Sequence, residues 1–329
     1  CGKLQKVFNK NPEAKVNLKK ERYIPEFFKE KIIRVFGEEG RKWLGELPNI
    51  IDRSKKKWSL RDLSVVEDLS YNFICTAKSP DYGKVVLKLG VPHPVFLNEA
   101  EAISCYSGKY ICEFYDYDKK NYAMLLERII PGDNLLSLKN SNKWLEIAAD
   151  IAYKLPVKIN NESKFPTYED WIKKAFNRAR KEAKMAKDMF CFIDKAEKIF
   201  YELEKEDYEK VLLHGDLHHW NILFDKNEGW KAIDPKGVIG IPVMESARFI
   251  DNQITITECL GDFASLDKML TVFSNKFSES KMTVASNLFI LLVLSTCWSY
   301  ENHSPQSSSL SHREDKCRFV NKYMEDKLL

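Results

Sequence analysis

The sequence lacks a long apolar run, so it predicts no membrane-spanning segment. Its longest apolar stretch is the seven residues from Leu288 to Leu294, whereas a helix that crosses a bilayer needs about 20 apolar residues. The Lys-rich N-terminal region also lacks the apolar core of a secretory signal. We therefore expect a cytoplasmic protein without a membrane partner, in which Leu288–Leu294 belongs to a buried helix.

Paired cysteine motifs are absent as well. The chain has 8 cysteines, but none of them forms the C-x-x-C pair that is typical of zinc and redox sites. Disulfide scaffolds are short and dense in cysteine, and this chain of 329 residues is neither. We expect reduced thiols that lie mostly in the core.

An excess of charge of one sign is also missing. The chain has 52 Lys+Arg against 48 Asp+Glu, so its net charge is +4, which is too small over this length to favour a nucleic-acid partner. The charge is uneven, because residues 1–130 carry a net +6 and residues 131–329 a net −2. The acidic excess of the second part is compatible with a cationic ligand and does not establish one.

The hydrophobic pattern divides the chain into three regions. Residues 1–57 form a basic, helical extension that we expect to pack on the rest of the protein. Residues 58–130 contain short strand-like runs and one helix, whereas residues 131–329 are mainly helical. This order predicts an α+β protein with a small antiparallel-sheet lobe followed by a larger helical lobe.

Local signals add detail to the first two regions. Pro25 marks a helix start, and Gly40 and Gly45 mark helix breaks. A turn signal at residues 81–83 joins two strands, and a helix is predicted from about Val95 to Ser107. The strand-like runs cover residues 63–67, 72–77, 84–89, 111–115 and 122–127.

The most informative stretch joins three polar residues at fixed spacing. His214-Gly-Asp216 is followed by Asn221 five positions after Asp216, and by Asp234 thirteen positions after Asn221. Phosphoryl transfer needs a carboxylate that orients and deprotonates the attacking hydroxyl, together with oxygen ligands for magnesium. A loop that carries Asp216 and Asn221, and a hairpin that returns Asp234 to the same place, meet that need.

The stretch resembles a known family. Residues 214–221 match the protein-kinase loop H-R-D-L-x-x-x-N, except that Gly215 replaces the Arg. This H-G-D-L-H form resembles the aminoglycoside phosphotransferases, and Ile233-Asp-Pro-Lys-Gly237 resembles their streptomycin 6-phosphotransferase and hydroxyurea phosphotransferase branch. Three further pieces fit that branch, at residues 86–94, 124–132 and 166–171.

The resemblance covers roughly residues 45–255 and implies a fold and an activity. The fold is the bilobal protein-kinase-like fold. The implied activity is transfer of the γ-phosphate of ATP, with Mg²⁺, to a hydroxyl of a small-molecule acceptor. That acceptor is aminoglycoside-like (streptomycin-type) or hydroxyurea-type, and another small metabolite remains an alternative. We expect a monomer or a weak homodimer.

The resemblance also implies roles for individual residues. Asp216 is the expected catalytic base, and Asn221 and Asp234 are the expected magnesium ligands. Lys88 is expected to reach the α- and β-phosphates, and Glu99 to hold Lys88 by an ion pair, with Glu101 as the alternative. Glu127 and Ile129 belong to the segment that offers backbone groups to adenine, and Ser70, Tyr71 and Asn72 form the turn that covers the phosphates.

Two departures from the protein kinases are visible. No G-x-G-x-x-G occurs between Val65 and Ala77, so a polar turn takes the place of that loop. No acidic residue precedes Pro242, and Glu245 is the candidate to brace the catalytic loop in its stead. Lys236 is expected either to contact phosphate or to brace Asp216, and His214 to hold the loop as a buried structural residue.

Three alternatives remain at this stage. The spacing of His214 and His218 suits zinc on a helix, but no H-E-x-x-H is present. A nucleotide-binding pseudo-enzyme has no need of the full set of catalytic residues. A protein kinase would have a longer segment than the eleven positions from Asp234 to Glu245, where it would bind a polypeptide.

Overall fold

The computed structural model describes residues 24–106, 108, 110–138, 143–160, 164–182, 185–255, 262–302 and 308–328. These residues form two compact units. Unit 1 contains the described residues up to Phe96 together with Tyr115–Arg128, and unit 2 contains Leu97–Phe114 and the remainder from Ile129. The first 23 residues of the predicted N-terminal extension lie outside the described part.

Unit 1 begins with a long helix, α1 (Glu26–Lys57), that is kinked once. Its start after Pro25 confirms the prediction, but the predicted breaks at Gly40 and Gly45 are wrong. The kink lies at Gly37, whose φ of 57° is non-helical. Gly40 lies within the helix, and its small size serves packing, because a Cβ at this position would lie 2.7 Å from the Ile32 carbonyl oxygen.

The sheet of unit 1 has five strands in the order β1-β2-β3-β5-β4. The predicted turn at residues 81–83 is confirmed, because Ser79 pairs with Gly83 across an antiparallel hairpin. One face of the sheet packs against α1, where the Phe28 ring lies 5.8 Å from Phe73 and 6.2 Å from Trp43. The strands are β1 (Arg61–Val65), β2 (Phe73–Ser79), β3 (Gly83–Leu89), β4 (Phe114–Asp118) and β5 (Ala123–Glu127).

The prediction for residues 111–115 is displaced. The fourth strand begins only at Phe114, because Ile111 instead forms a bridge with Ala232 inside unit 2. The predicted helix is observed as α2 (Pro94–Cys105), and Ser107 lies outside the described residues.

Unit 2 contains two small sheets that carry the loop singled out by the sequence. β7 (Val211–Leu213) pairs with β10 (Val238–Gly240), and β8 (Ile222–Asp225) pairs with β9 (Gly229–Ala232) and with β6 (Pro131–Asn134). Each pairing is antiparallel. The segment from residue 214 to residue 221 therefore starts at the end of one strand pair and ends at the start of another.

Most helices of unit 2 pack on one apolar helix, α8 (Lys281–Asn302). Residues Leu288–Leu294 are all buried in it, as the sequence predicts. A stretch of α8, Lys281–Tyr300, is long and apolar enough to cross a membrane, but 78% of it is buried inside the protein. The other helices are α3 (Lys143–Lys154), α4 (Tyr168–Glu182), α5 (Lys187–Leu203), α6 (Glu245–Gln253), α7 (Ala264–Phe277) and α9 (Ser308–Lys327).

The expectation that the cysteines lie mostly in the core is confirmed for four of the six cysteines described. Cys75, Cys112, Cys297 and Cys317 are buried and free of disulfides, whereas Cys105 and Cys191 are exposed. Cys1 and Cys259 lie outside the described residues.

Candidate active site

The loop of residues 214–221 is organised by the ring of His214, which is fully buried. Its Nε2 lies 2.8 Å from the Ile233 carbonyl oxygen, and its Nδ1 accepts a hydrogen bond of 3.2 Å from the Asp216 backbone N–H. Burial lowers the pKa of His214 to about 4, so the ring is neutral at pH 7. Both ring nitrogens serve the loop itself, which confirms the structural role expected for His214 and removes it as a zinc ligand.

Gly215 allows the loop to turn next to a packed wall. Its φ is +73°, a conformation that favours glycine, and a Cβ here would lie 2.8 Å from Cγ1 of Val238 and 3.3 Å from the Trp171 ring. An arginine at this position, as in protein kinases, would meet both obstacles. The H-G-D form of the loop is therefore a requirement of the local packing.

Glu245 braces the same loop from the start of α6. One carboxylate oxygen accepts the His214 N–H at 2.6 Å, and the other accepts the Gly215 N–H at 3.2 Å. The side chain is buried, and this burial raises its pKa to about 8 against the opposing effect of the two N–H donors. The expected bracing role of Glu245 is thus observed as a pair of hydrogen bonds.

The Asp216 carboxylate, which is 18% exposed, sits between two cations. The Arg248 guanidinium donates to it from Nε at 2.7 Å, and the Lys236 ammonium lies 3.2 Å away. Burial alone would raise the pKa of Asp216, but the positive charges of Lys236 and Arg248 outweigh burial and hold the pKa at about 2. Asp216 is therefore ionised at neutral pH, and Lys236 braces it.

Asn221 and Asp234 lie on the backbone that closes the loop. The Asn221 side-chain amide donates to the Asp216 carbonyl oxygen at 3.1 Å, and the Asn221 carbonyl oxygen accepts the Ile233 N–H at 2.9 Å. This link joins the loop to the residue before Asp234. Asp234 itself has a φ of +60°, a conformation that non-glycine residues rarely adopt and that is concentrated at functional sites.

The two side chains fit a magnesium ion better than a zinc ion. The Asn221 amide nitrogen is used within the loop. Asn221 and Asp234 both carry side-chain oxygen atoms, which are the ligands that Mg²⁺ prefers. Within the described ranges, no group of three or more His, Cys, Asp and Glu side chains is placed to hold a metal. Mg²⁺ needs no such group, because it keeps several waters and shares phosphate oxygens.

A buried charge chain behind Asp216 was not found from the sequence. Arg248 also donates from Nη1 to Asp251 at 2.9 Å, and the Lys316 ammonium binds the other Asp251 oxygen at 2.8 Å. Asp251 is only 3% exposed. The i, i+3 spacing of Arg248 and Asp251 was visible in the sequence, but their contacts with residues 32 and 65 positions away were not.

The residues predicted to bind nucleotide lie as follows. Lys88 is buried on the central strand β3, opposite Ile74 on one side and Met124 on the other. Glu99 is buried on α2, and Glu101 is exposed, so the two acidic side chains face apart. Their pairing with Lys88 and their contacts with nucleotide remain predictions.

The turn predicted to cover the phosphates links a loop to β2. Ser70 and Tyr71 are exposed and Asn72 is half-buried. Glu127 ends β5 and is half-buried, whereas Ile129 is buried. The roles of all five remain predictions.

Comparison with known proteins gives a family and a fold. The family profile described as "Aminoglycoside/hydroxyurea antibiotic resistance kinase" matches residues 85–302. The streptomycin 6-kinase of Streptomyces griseus is 24% identical over 246 residues, which are 73% of this chain and 78% of that protein.

Two solved structures share the fold at low identity. A choline/ethanolamine kinase family protein from Mesorhizobium loti superposes with a TM-score of 0.60 at 13% identity and covers 85% of this chain and 96% of that one. The aminoglycoside phosphotransferase APH(4)-Ia, solved as a ternary complex with ADP and hygromycin B, superposes with a TM-score of 0.56 at 13% identity and covers 82% of this chain and 97% of that one. The predicted protein-kinase-like fold is confirmed, and the chain belongs to the aminoglycoside/hydroxyurea antibiotic resistance kinase family of phosphotransferases.

Proposed function

We propose that this chain is an ATP-dependent, Mg²⁺-requiring kinase that transfers the γ-phosphate to a hydroxyl group of a small molecule. The observation that carries the proposal is the Asp216 carboxylate. It is ionised, partly open to solvent, and fixed on a loop that also presents Asn221 and is braced by Glu245. A protein that only bound nucleotide would need no such group.

Asp216 would orient the acceptor hydroxyl and receive its proton. The acceptor oxygen forms a bond to the γ-phosphorus as the bond to the β–γ bridging oxygen breaks, and the hydroxyl proton passes to Asp216. A pKa of about 2 makes Asp216 a weak base. We therefore expect the proton to be transferred late in a loose transition state, when bonding to phosphorus has made the hydroxyl acidic. The charge of Lys236, next to Asp216, favours the negative phosphoryl group in the same place.

Asn221 and Asp234 would hold the magnesium ion through oxygen atoms. When bound, the ion neutralises charge on the phosphate oxygens. Lys88 would reach the α- and β-phosphates, and Glu99 would hold Lys88 by an ion pair. The turn of Ser70, Tyr71 and Asn72 would cover the phosphates, and backbone groups of the segment from Glu127 to Ile130, which includes Ile129, would bind adenine. The presence of ADP in the solved APH(4)-Ia complex supports an adenine nucleotide.

The relatives name two classes of acceptor. We propose an aminoglycoside-like (streptomycin-type) or hydroxyurea-type acceptor as the first classes to test, and another small metabolite as the alternative. The short segment from Asp234 to Glu245 supports a small acceptor over a polypeptide. The proposal includes a cytoplasmic protein, monomeric or weakly dimeric, that acts without nucleic acid or membrane.

An acceptor screen tests this function. Purified protein with Mg-ATP is offered streptomycin, hydroxyurea, anionic hydroxyl compounds such as glycerate, and amino-alcohols, and the release of ADP is measured. We expect release with at least one acceptor. Failure to bind ATP would contradict the kinase, and ATP binding without any turnover or hydrolysis would favour a pseudo-enzyme.

A further inference from the structure

A small cavity of about 140 Å³ opens beside the catalytic loop within unit 2. One wall is the backbone of Gly215, next to Asp216, and another is the ring of Trp298 on α8. Two of the lining side chains, Lys236 and Arg248, are the same two that contact the Asp216 carboxylate. The cavity therefore lies next to the group that would receive the acceptor's proton.

The charged lining of this cavity is entirely positive. Lys236, Arg248 and Arg313 line it, and no Asp or Glu does so within the described ranges. The hydroxyl groups of Ser295 and Ser299 and the apolar side chain of Leu291 also line it. Lys236 and Arg248 share one carboxylate, Asp216, so the cations at the cavity still exceed the carboxylate in number. This excess favours a carboxylate or phosphate in the cavity over a cationic acceptor group.

A second carboxylate, Asp251, holds the Arg248 side chain in place. Asp251 binds its Nη1 at 2.9 Å, and Lys316 binds Asp251 in turn at 2.8 Å. The carboxylates of Asp216 and Asp251 thus contact three cations, namely Lys236, Arg248 and Lys316. This excess of positive charge is fixed by buried partners and belongs to the folded site.

Arg313 adds a fourth cation. It lies on α9 one turn before Lys316 and is half-buried. Its positive charge helps to lower the pKa of Asp251, so Arg313 belongs to the same group of charges as Arg248 and Lys316. A guanidinium presents a planar array of donors that matches a carboxylate or phosphate, so Arg313 is suited to bind an anion in the cavity.

We propose that the acceptor of this kinase carries an anionic group, a carboxylate or a phosphate, in addition to the hydroxyl that is phosphorylated. The anion occupies the cavity against Arg313 and Arg248, and the hydroxyl lies at Asp216. The inference rests on the proposed function, since it identifies the acceptor of that same site. It selects the small-metabolite alternative over a polycationic aminoglycoside.

Calorimetric titration with inorganic phosphate tests the anion subsite. The protein is first saturated with Mg²⁺ and a non-hydrolysable ATP analogue, so that phosphate cannot take the place of the γ-phosphate. We expect one phosphate to bind, and Arg313→Gln to weaken its binding by about tenfold, as loss of a hydrogen bond to a charged group predicts. Lys322→Gln removes the same charge from an exposed position of α9 and should leave binding unchanged. A parallel titration with acetate distinguishes a carboxylate subsite from a phosphate subsite.

Several results would overturn the inference. One is that neither phosphate nor acetate binds. A second is that phosphate binds to Arg313→Gln as strongly as to the wild type. A third is that the protein turns over streptomycin with a KM that Arg313→Gln does not change. Failure of the ATP analogue to bind contradicts the proposed function instead. In that case phosphate is titrated without nucleotide, and the comparison of Arg313→Gln with Lys322→Gln still decides whether an anion binds in the cavity.

Discussion

The Arg248 guanidinium joins two carboxylates, Asp216 at 2.7 Å and Asp251 at 2.9 Å. Asp216 lies on the loop of residues 214–221 and Asp251 lies within α6, so a single side chain connects the proposed base to the helical core of unit 2. Breaking a buried ion pair by removing one partner costs more than the pair contributes, because the other charge stays buried.

This arrangement predicts how the stabilities of two variants compare with that of the wild type. Arg248→Gln should lower the free energy of unfolding by about 3 kcal/mol, because it leaves two carboxylates under-paired. Adding Asp251→Asn to that variant should recover part of the loss, because it removes the buried charge that Arg248 had matched. Urea denaturation measures all three proteins, and a double variant less stable than Arg248→Gln would contradict the pairing.

A second prediction concerns Gly215 and the stability of the loop of residues 214–221. Gly215→Ala combines an unfavourable positive φ with a Cβ only 2.8 Å from Val238. We expect a loss of about 2–3 kcal/mol in stability, from backbone strain and the close contact together, and a fall in kcat.

Gly229→Ala is the matched control for this variant. Gly229 has a φ of +86°, but a Cβ there would meet nothing within 4 Å. It should therefore show the backbone cost alone, about 1 kcal/mol. Equal losses of stability in the two variants would show that the wall at Val238 does not constrain the loop.

His214 predicts a dependence of stability on pH. Its pKa is about 4 in the folded protein, depressed by burial, against about 6.5 in an unfolded chain. Between these values the unfolded chain binds a proton that the folded protein does not, so stability is lost as the pH falls from 6.5 toward 4. This difference corresponds to a loss of about 3 kcal/mol from this residue.

The slope of stability against pH checks this prediction. His214→Gln should make the free energy of unfolding fall less steeply between pH 6.5 and pH 4 than in the wild type, although the variant is less stable overall. His218, whose pKa burial also lowers to about 4, keeps its own contribution to the slope. His93→Gln alters an exposed histidine in unit 1 and should retain the wild-type slope. An unchanged slope in His214→Gln would assign the pH dependence to other groups.

Local patterns in the sequence were enough for the fold class and for most of the loop. The turn signal at residues 81–83 indicated the hairpin of β2 and β3, and the spacing of Asp216, Asn221 and Asp234 indicated a phosphotransferase loop. The absence of an acidic residue before Pro242 led to the prediction that Glu245 braces the loop. Each of these signals lies within a short stretch of chain.

Contacts between distant residues were beyond the reach of the sequence. Asp216 meets Arg248 32 positions away, and Lys316 meets Asp251 65 positions away. The break in α1 was misplaced for a related reason. Gly40 is a glycine because the chain packs closely against Ile32, a contact between residues of one helix that the sequence did not reveal, and not because the helix ends there. The charge of residues 131–329 was also a poor guide, because the net −2 of that region conceals a locally positive cavity beside the loop.

Asp216 gives the most direct test of the central claim. With Mg-ATP and an acceptor found by the screen, the rate of ADP release is compared between the wild type, Asp216→Asn and the exposed control Asp207→Asn. We predict that Asp216→Asn lowers kcat by 10²-fold or more, since general base catalysis contributes about 10²–10⁴, while ATP still binds and Asp207→Asn is unaffected. An Asp216→Asn protein that turns over at the wild-type rate would contradict the assignment of Asp216 as the catalytic base.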